Sequence, residues 1–475
     1  MSESGVGVTG AGVFWCRIIA LAAAATAGCS GGDQPGVGGD SCTATVHCQR
    51  QDGRPVCDPG FVRAEPESAT DFACVVAPCS DQLRELVTFP ARVTREPAGT
   101  STYYVNPALT YTGSELAALW FKATADSRGD VIFATFTPDG GALIPEGQVN
   151  DVAVETAGYP VAPALIWSGS GYGAAWSGTR LVAGYHRPHV FFASLDAQGR
   201  PKTGSLAISP DFGASGQTDP VDARRPALAW SGSEFVVSWS DQRVKDPRVT
   251  GINLVGWSGV YFRRVDERGV ARGEQQLTQH VLGDFSVIAD ATSITGAWGD
   301  RDSSGAVGED TYDVESKTVV LGQAVPPDPG TTIAVPARSS RLLVAAAKSS
   351  AGEVRIAAAR DASDTSMKLE LYRVSAPNRP TQVATATEIQ SVVLAAHEDG
   401  WLVVWVDDSG AVQISRVDGA GAVTTRSAGA LRVTQGARLF APFIGDQRMF
   451  VPVSAHTDFS ATTPETVVGM ASVCL

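Results

Sequence analysis

A chain of 475 residues exceeds one ordinary domain, so it holds either several domains or one long repeat array. Hydrophobic residues at 44% suffice for a core, while 50 Gly and 27 Pro favour many tight turns over long helices and point to an all-β chain. The formal net charge of −13 argues against a nucleic-acid partner, which would need a basic face to displace counterions from phosphates, and fits an acidic coat that serves solubility.

At the N-terminus Arg17 precedes the apolar run Ile18-Ile-Ala-Leu-Ala-Ala-Ala-Ala-Thr-Ala-Gly28, too short to cross a bilayer but suited to the core of a secretory signal. The run ends in Thr26-Ala-Gly-Cys29, which resembles the bacterial lipobox, with Thr26 where that motif usually has Leu. The resemblance implies a lipoprotein signal peptide over residues 1–28 and a diacylated Cys29 as mature N-terminus. It also implies a lipid-anchored address in the bacterial cell envelope, at the outer membrane; plain secretion is the alternative. Residues 29–41 are Gly-rich, have nothing to bury, and read as a flexible tether.

Six cysteines follow, Cys42, Cys48, Cys57, Cys74, Cys79 and Cys474, and an even number in an exported chain implies disulfides. Five of them crowd into residues 42–79, a segment too small and polar to hold itself by burial. No spacing is Cys-x-x-Cys, so zinc is not expected. The phrase Cys57-Asp-Pro-Gly-Phe61, ending at Cys74, resembles the last loop of an EGF-like module, and that resemblance implies a Cys57–Cys74 bridge. Cys42 and Cys48 match the second and third cysteines of that module in spacing, but the first and fourth are absent, which leaves pairing of these two with each other open. Residues 42–79 are thus expected to form a small disulfide-rich stalk.

Residues 80–475 carry a recurring phrase: a short apolar strand, a Gly-containing turn, and an alternating strand ending in tryptophan. Its best copy is Trp230-Ser-Gly-Ser-Glu-Phe-Val-Val-Ser-Trp239-Ser-Asp-Gln-Arg243. The terminal marker recurs as Trp120, Trp176, Trp298 and Trp405, and two weaker units fit with Ala346 and Val453 in the marker position, at steps of 48 to 63 residues. Pro-Ala-Leu opens three units, at residues 107–109, 163–165 and 226–228. After the marker comes another strand pair, whose tight turn starts at an aspartate and reaches a glycine three residues on, as in Asp196, Asp266 and Asp418; turn chemistry rather than catalysis explains these carboxylates. Seven units of four strands predict a seven-bladed β-propeller of four-stranded blades. The pattern resembles the Trp-x-Asp-x-Arg propeller repeats of bacterial envelope proteins. Because a propeller is a ring made from a linear chain, the lone strand at Leu86-Val-Thr-Phe-Pro-Ala-Arg-Val-Thr94 is expected to complete the last blade. Cys79 and Cys474 are then expected to bridge the ends.

The turns between first and second strands are short in every unit, whereas the stretches after the markers, residues 121–130, 177–189, 240–259 and 299–310, differ widely. Variable loops on a rigid scaffold are where ligands bind, so that face is the candidate, with Tyr185, His186, Trp257, Asp241, Arg243, Asp300 and Asp407 as its residues. Asp241, Asp300 and Asp407 follow their tryptophans at one offset and would serve a glycoside-active hydrolase as paired acids. The simpler reading has each aspartate capping loop backbone or pairing with an arginine such as Arg243, and the tryptophans packing between blades. Asp300, Asp302 and Ser304 open like a calcium loop, but Gly308 and Thr311 stand where further ligands belong, so no metal is assigned. His186 and His189 are expected as exposed loop histidines. The sequence therefore favours a recognition module for a glycan or a protein, held at a membrane by a lipid, with hydrolysis as the alternative.

Overall fold

A strand buried on both faces carries apolar residues at successive positions, and the second strands of the repeats have that character. In the computed structural model Phe235–Asp241 is such a strand, buried at every residue, between the antiparallel partners Ala223–Trp230 and Ser258–Val265. The structure describes residues 48–51, 54–57, 61–63, 74–76, 82–90 and, with breaks, 107–475; the longer breaks are 124–127, 156–162, 212–222, 242–257, 303–310, 324–329 and 457–464. The chain divides into two compact units, Met1–Ala77 and Pro78–Leu475. In the first, Cys48–Gln51 pairs with Arg54–Cys57, which sets Cys48 opposite Cys57, and Phe61–Arg63 pairs with Cys74–Val76. Cys29, Cys42 and Cys79, and the side chains of Cys48, Cys57 and Cys74, lie outside the described residues.

The second unit is all-β and built from antiparallel four-stranded meanders, the blades of a β-propeller. Where the sequence predicts seven separate sheets, the structure has five of blade size, four with four strands and one with five, and a nine-stranded sheet in place of the first two units. The fusion has a local cause. The short strand Val154–Glu155 pairs with Arg128–Phe136 on one side and with Gly171–Val182 on the other, stitching the second strand of one unit to the third strand of the unit before it.

The fifth unit corrects a second expectation. Ala346, predicted as a marker in a second strand, sits instead in the innermost strand Leu342–Lys348. The second strand is Val354–Ser363, where Ala359-Arg360-Asp361 repeats the Trp-x-Asp phrase with alanine for tryptophan.

The innermost strands touch in sequence around an axis: Ala108–Tyr111, Pro163–Trp167, Ala223–Trp230, Phe285–Ala289, Leu342–Lys348, Ile389–His397 and Gln435–Leu439. Between successive units lies an apolar cluster, and in the second, third, fourth and sixth units the marker tryptophan packs on the unit before it. Trp176 lies with Leu119 and Phe133, Trp239 with Val190 and Phe192, Trp298 with Val236 and Phe262, and Trp405 with Leu369 and Leu371. Trp176, Trp239 and Trp298 are almost wholly buried. Emptying one such position to alanine costs on the order of 3–5 kcal/mol. Serines stitch the same junctions: Ala346 N donates to Ser286 Oγ (3.1 Å) and Leu439 N to Ser391 Oγ (3.0 Å), each across adjacent units.

A lone N-terminal strand does complete the last sheet, four residues earlier than the expected 86–94. Gln82–Pro90 pairs antiparallel with Glu465–Cys474 and forms the outer edge of the last sheet, so one blade draws on both ends of the domain. At this seam Leu109, Tyr111 and Phe136 of the first unit pack on Val468 and Met470 of the last. Tyr111 lies edge-on to Phe443, centroids 5.5 Å apart, and burial pushes its phenol pKa up to about 12. Gly113, at φ +105°, admits the Phe443 ring, which a Cβ would meet at 2.9 Å. Gly140, at φ +92°, lets a turn of the first unit approach the closing strand, where a Cβ would lie 2.5 Å from Leu86 O.

Cys474 is disulfide-bonded. It follows Ser472 by two positions, and Ser472 pairs with Gln82, three positions after Cys79, so the strand register favours Cys79 as partner. Non-reducing peptide mapping is expected to return a Cys79–Cys474 peptide. Recovery of Cys79 linked to Cys57 or Cys74 would exclude that bridge.

Candidate binding face

The two faces of the ring are built differently. On one, tight turns are held by aspartates accepting two backbone N–H groups each: Asp196 from Gln198 and Arg200, Asp266 from Arg268 and Val270, Asp290 from Thr292 and Ser293, and Asp418 from Ala420 and Ala422. The Val270 and Arg268 bonds hold the Asp266 carboxyl below the usual carboxylate range. An ion pair and a hydrogen bond tie this face across units, with Lys348 bonded to Asp290 and Ser170 Oγ donating to Glu267 (2.7 Å).

The opposite face carries the connections from second to third strands, and here the sequence reading needs correction. Residues 177–189 are largely not a loop: Gly171–Val182 and Tyr185–Asp196 pair continuously, with Val182 opposite Tyr185, as a hairpin arm clipped to the first unit by Glu155 opposite Thr179. Arg128 and Glu155 pair at its base (2.9 Å). Likewise Ser293–Asp302 pairs with Thr311–Val320, so residues 299–302 of the stretch 299–310 are strand, and the rest of that stretch lies outside the described residues. His189 is not exposed. It is buried in the arm, with Nδ1 3.1 Å from Ser209 Oγ, because the strand continues through it and turns it inward.

The three candidate acids do not form one set. Asp241 is fully buried and accepts the Trp239 indole N–H at 2.9 Å, so it fixes the orientation of the ring that packs against the preceding unit. Trp298 Nε1 donates to Glu315 (3.2 Å) and Trp405 Nε1 to Ser415 Oγ (3.3 Å), the same requirement met from the neighbouring strand. Asp407 caps its own turn, accepting from Ser409 N, Ser409 Oγ, Ala411 N and Gln413 Nε2. Partial burial would raise its pKa, but these bonds outweigh that and hold it below the ordinary value. Asp300 and Asp302 lie in strand, with Asp300 opposite Asp313. Their side chains, those of Tyr185 and His186, and all of Arg243, Trp257 and Ser304, lie outside the described residues. Among the described residues no group of three or more His, Cys, Asp or Glu is placed to hold a metal ion.

A feature missed from the sequence is Arg225, the one non-glycine residue at positive φ (52°) among the described residues. It sits in a bulge at the start of an innermost strand, where Arg224 pairs with Ser240 and Ala227 with Ser238. Bulges recur at this level in the sixth and seventh units, at Ile389/Ser391 and Gln435/Arg438. The signal was Arg224-Arg-Pro226, since an extra residue before proline at a strand start marks a bulge.

No protein-family model and no curated protein matches the chain. Solved structures resemble it at low identity. The polysaccharide lyase Uly1 aligns over 83% of this chain and 99% of its own at 9% identity and TM-score 0.49. An α-L-arabinanase of Penicillium chrysogenum complexed with arabinobiose covers 82% and 98% at 11% identity and TM-score 0.44. The β-propeller domain of the trilobed protease from Pyrococcus furiosus, described as having an open velcro topology, covers 74% and 92% at 12% identity and TM-score 0.37. Likeness at this level says nothing of activity.

Asp241→Ala removes the acceptor for a buried indole and is expected to lower the unfolding free energy by about 1–3 kcal/mol in denaturant titration. Asp241→Asn, which keeps an acceptor, should cost less. Unchanged stability in the alanine variant would contradict the structural role.

Proposed function

We propose that this protein is a recognition module: a seven-bladed propeller that presents one face to a glycan, exported and held in a bacterial envelope by lipid on Cys29. The observation that carries recognition is the asymmetry of the two faces. One is closed by short, capped turns, while the other bears a strand-built arm over Gly171–Val182 and Tyr185–Asp196, clipped rigidly to its neighbour. Among the described residues the ordered extension stands on that face, and it gives a binding partner a preorganised surface. The count of seven is supported by the apolar clusters lying between successive units, with the nine-stranded sheet taken as two blades joined through Val154–Glu155. Recognition is favoured over hydrolysis because Asp241 is committed to an indole and Asp407 to its own turn, which removes two of the three acids from a shared reaction centre.

The test replaces residues 181–186, the tip of the arm, with a Gly-Ser turn and measures retention on a panel of immobilised neutral and acidic polysaccharides. The full chain should be retained by at least one, and the variant by none, with its melting temperature unchanged. Equal retention of both would remove the arm from the site. Retention of neither would overturn glycan recognition.

A further inference from the structure

One turn occurs in two units with different surroundings. In the third unit Ser231 N donates to Glu234 O (3.0 Å) and Glu234 N to Ser231 Oγ (3.0 Å); in the first, Thr112 N donates to Glu115 O (2.9 Å) and Glu115 N to Thr112 Oγ1 (3.1 Å). Each glutamate immediately precedes a second strand, so the two carboxylates hold one register position on the face of capped turns. Glu234 is saturated by two guanidinium groups: Arg272 Nε donates to Oε1 (2.6 Å) and Arg264 Nη1 to Oε2 (3.1 Å). Arg264 lies opposite Val236 on the third strand, and the residue in that place in the first unit, opposite Ala117, is Thr135, with Ile144 beside it on the outer strand. Neither carries a charge. Among the described residues the half-buried Glu115 carboxylate has no ion pair and no hydrogen bond, and the wholly buried Thr135 Oγ1 has no partner either.

What faces the two glutamates also differs. Ala117 and Leu119, following Glu115 at steps of two, lie in the apolar cluster shared with the second unit, together with Tyr172 and the half-buried Trp167. Beside Glu234 the corresponding pair in the fourth unit is Ile294 and Ala289, set opposite each other as Tyr172 and Trp167 are. The Trp167 and Tyr172 ring centroids are 4.6 Å apart. Burial pushes the Tyr172 phenol pKa up and the Glu115 charge raises it further, so that carboxylate acts directly on the aromatic pair. Among the described residues neither the phenol O–H nor the Trp167 indole N–H has a hydrogen-bond partner, although buried Tyr and Trp ordinarily find one.

A carboxylate accepts the N–H groups of a guanidinium while aromatic rings attract its charge. In the third unit this register position takes its guanidinium groups from within the chain. We propose that in the first unit it takes one from outside: Glu115, with Trp167 and Tyr172, binds an arginine side chain of a partner polypeptide on the face opposite the arm. The net charge of −13 favours the approach of such a basic partner. This site is separate from the glycan surface and does not depend on it.

The experiment titrates the full chain with acetyl-Gly-Arg-Gly-amide, with the same peptide carrying lysine or citrulline in place of arginine, and with neutral arabinan. Binding is followed at the indole N–H signal of Trp167 in protein with isotope-labelled tryptophan, assigned by its loss in Trp167→Phe. The arginine peptide should shift that signal, the lysine peptide should bind more weakly, and the neutral citrulline peptide more weakly by roughly tenfold or more. Glu115→Gln should weaken the arginine peptide by a similar factor and leave the melting temperature unchanged, because it strands no cation; Glu234→Gln, which strands two, should lower it. Equal affinity for the arginine and citrulline peptides, or affinity unchanged in Glu115→Gln, would overturn the proposal. A melting temperature lowered as much by Glu115→Gln as by Glu234→Gln would show a partner already in place and overturn it too. A Trp167 signal moved by arabinan but by no peptide would make this a sugar subsite instead, and one moved by none of the probes would leave no site.

Discussion

The structure depends on joining the two ends of a linear chain. Each unit buries its apolar faces only against neighbours on both sides, so a row of such units would leave the first and last faces bare. Pairing Gln82–Pro90 with Glu465–Cys474 resolves this, because the last blade cannot be completed without residues from the beginning of the domain. The apolar contacts of Tyr111, Phe443 and Phe450 follow from that pairing, as does the burial of Val467 and Val468. A disulfide at Cys474 on the same strand adds a covalent constraint, and constraints that close long loops restrict the unfolded chain most.

Within the ring, the aromatic markers serve orientation as well as burial. A tryptophan between blades needs an acceptor for its indole N–H, and three units solve this with three different residues, Asp241, Glu315 and Ser415. All three units keep the Trp-x-Asp phrase, so the phrase alone does not fix the use of its aspartate. In the third unit the aspartate serves the indole two residues earlier, and in the sixth, where Ser415 does so, Asp407 is released to cap a turn. The same short motif thus has two structural uses.

Much of the fold was legible because its signals are local. Tryptophan at the end of an alternating strand and aspartate-to-glycine turns each carry their own physical cause, and the lone N-terminal strand was found by counting what the last unit lacked. The fifth unit was misread because its innermost and second strands both contain three consecutive alanines, 345–347 and 357–359, and without a tryptophan the pattern does not tell them apart. The fusion of the first two units rests on two residues, Val154 and Glu155, too short a strand for an alternating pattern to mark. The site was less legible. Capping, indole binding and catalysis all use aspartate, and only the partner atoms separate them, while the backbone angle of Arg225 is hinted at in sequence only by the proline that follows it.

Ring closure is the claim on which the rest stands, and native-state amide exchange tests it most directly. In the full chain the amides of residues 467–473 should be as protected as those of the buried strand Phe235–Asp241. In a chain lacking residues 1–90, protection at 467–473 should fall by orders of magnitude, while that at Phe235–Asp241 falls far less. Undiminished protection of 467–473 in the shortened chain would show that the last blade stands without the N-terminal strand and would contradict the account.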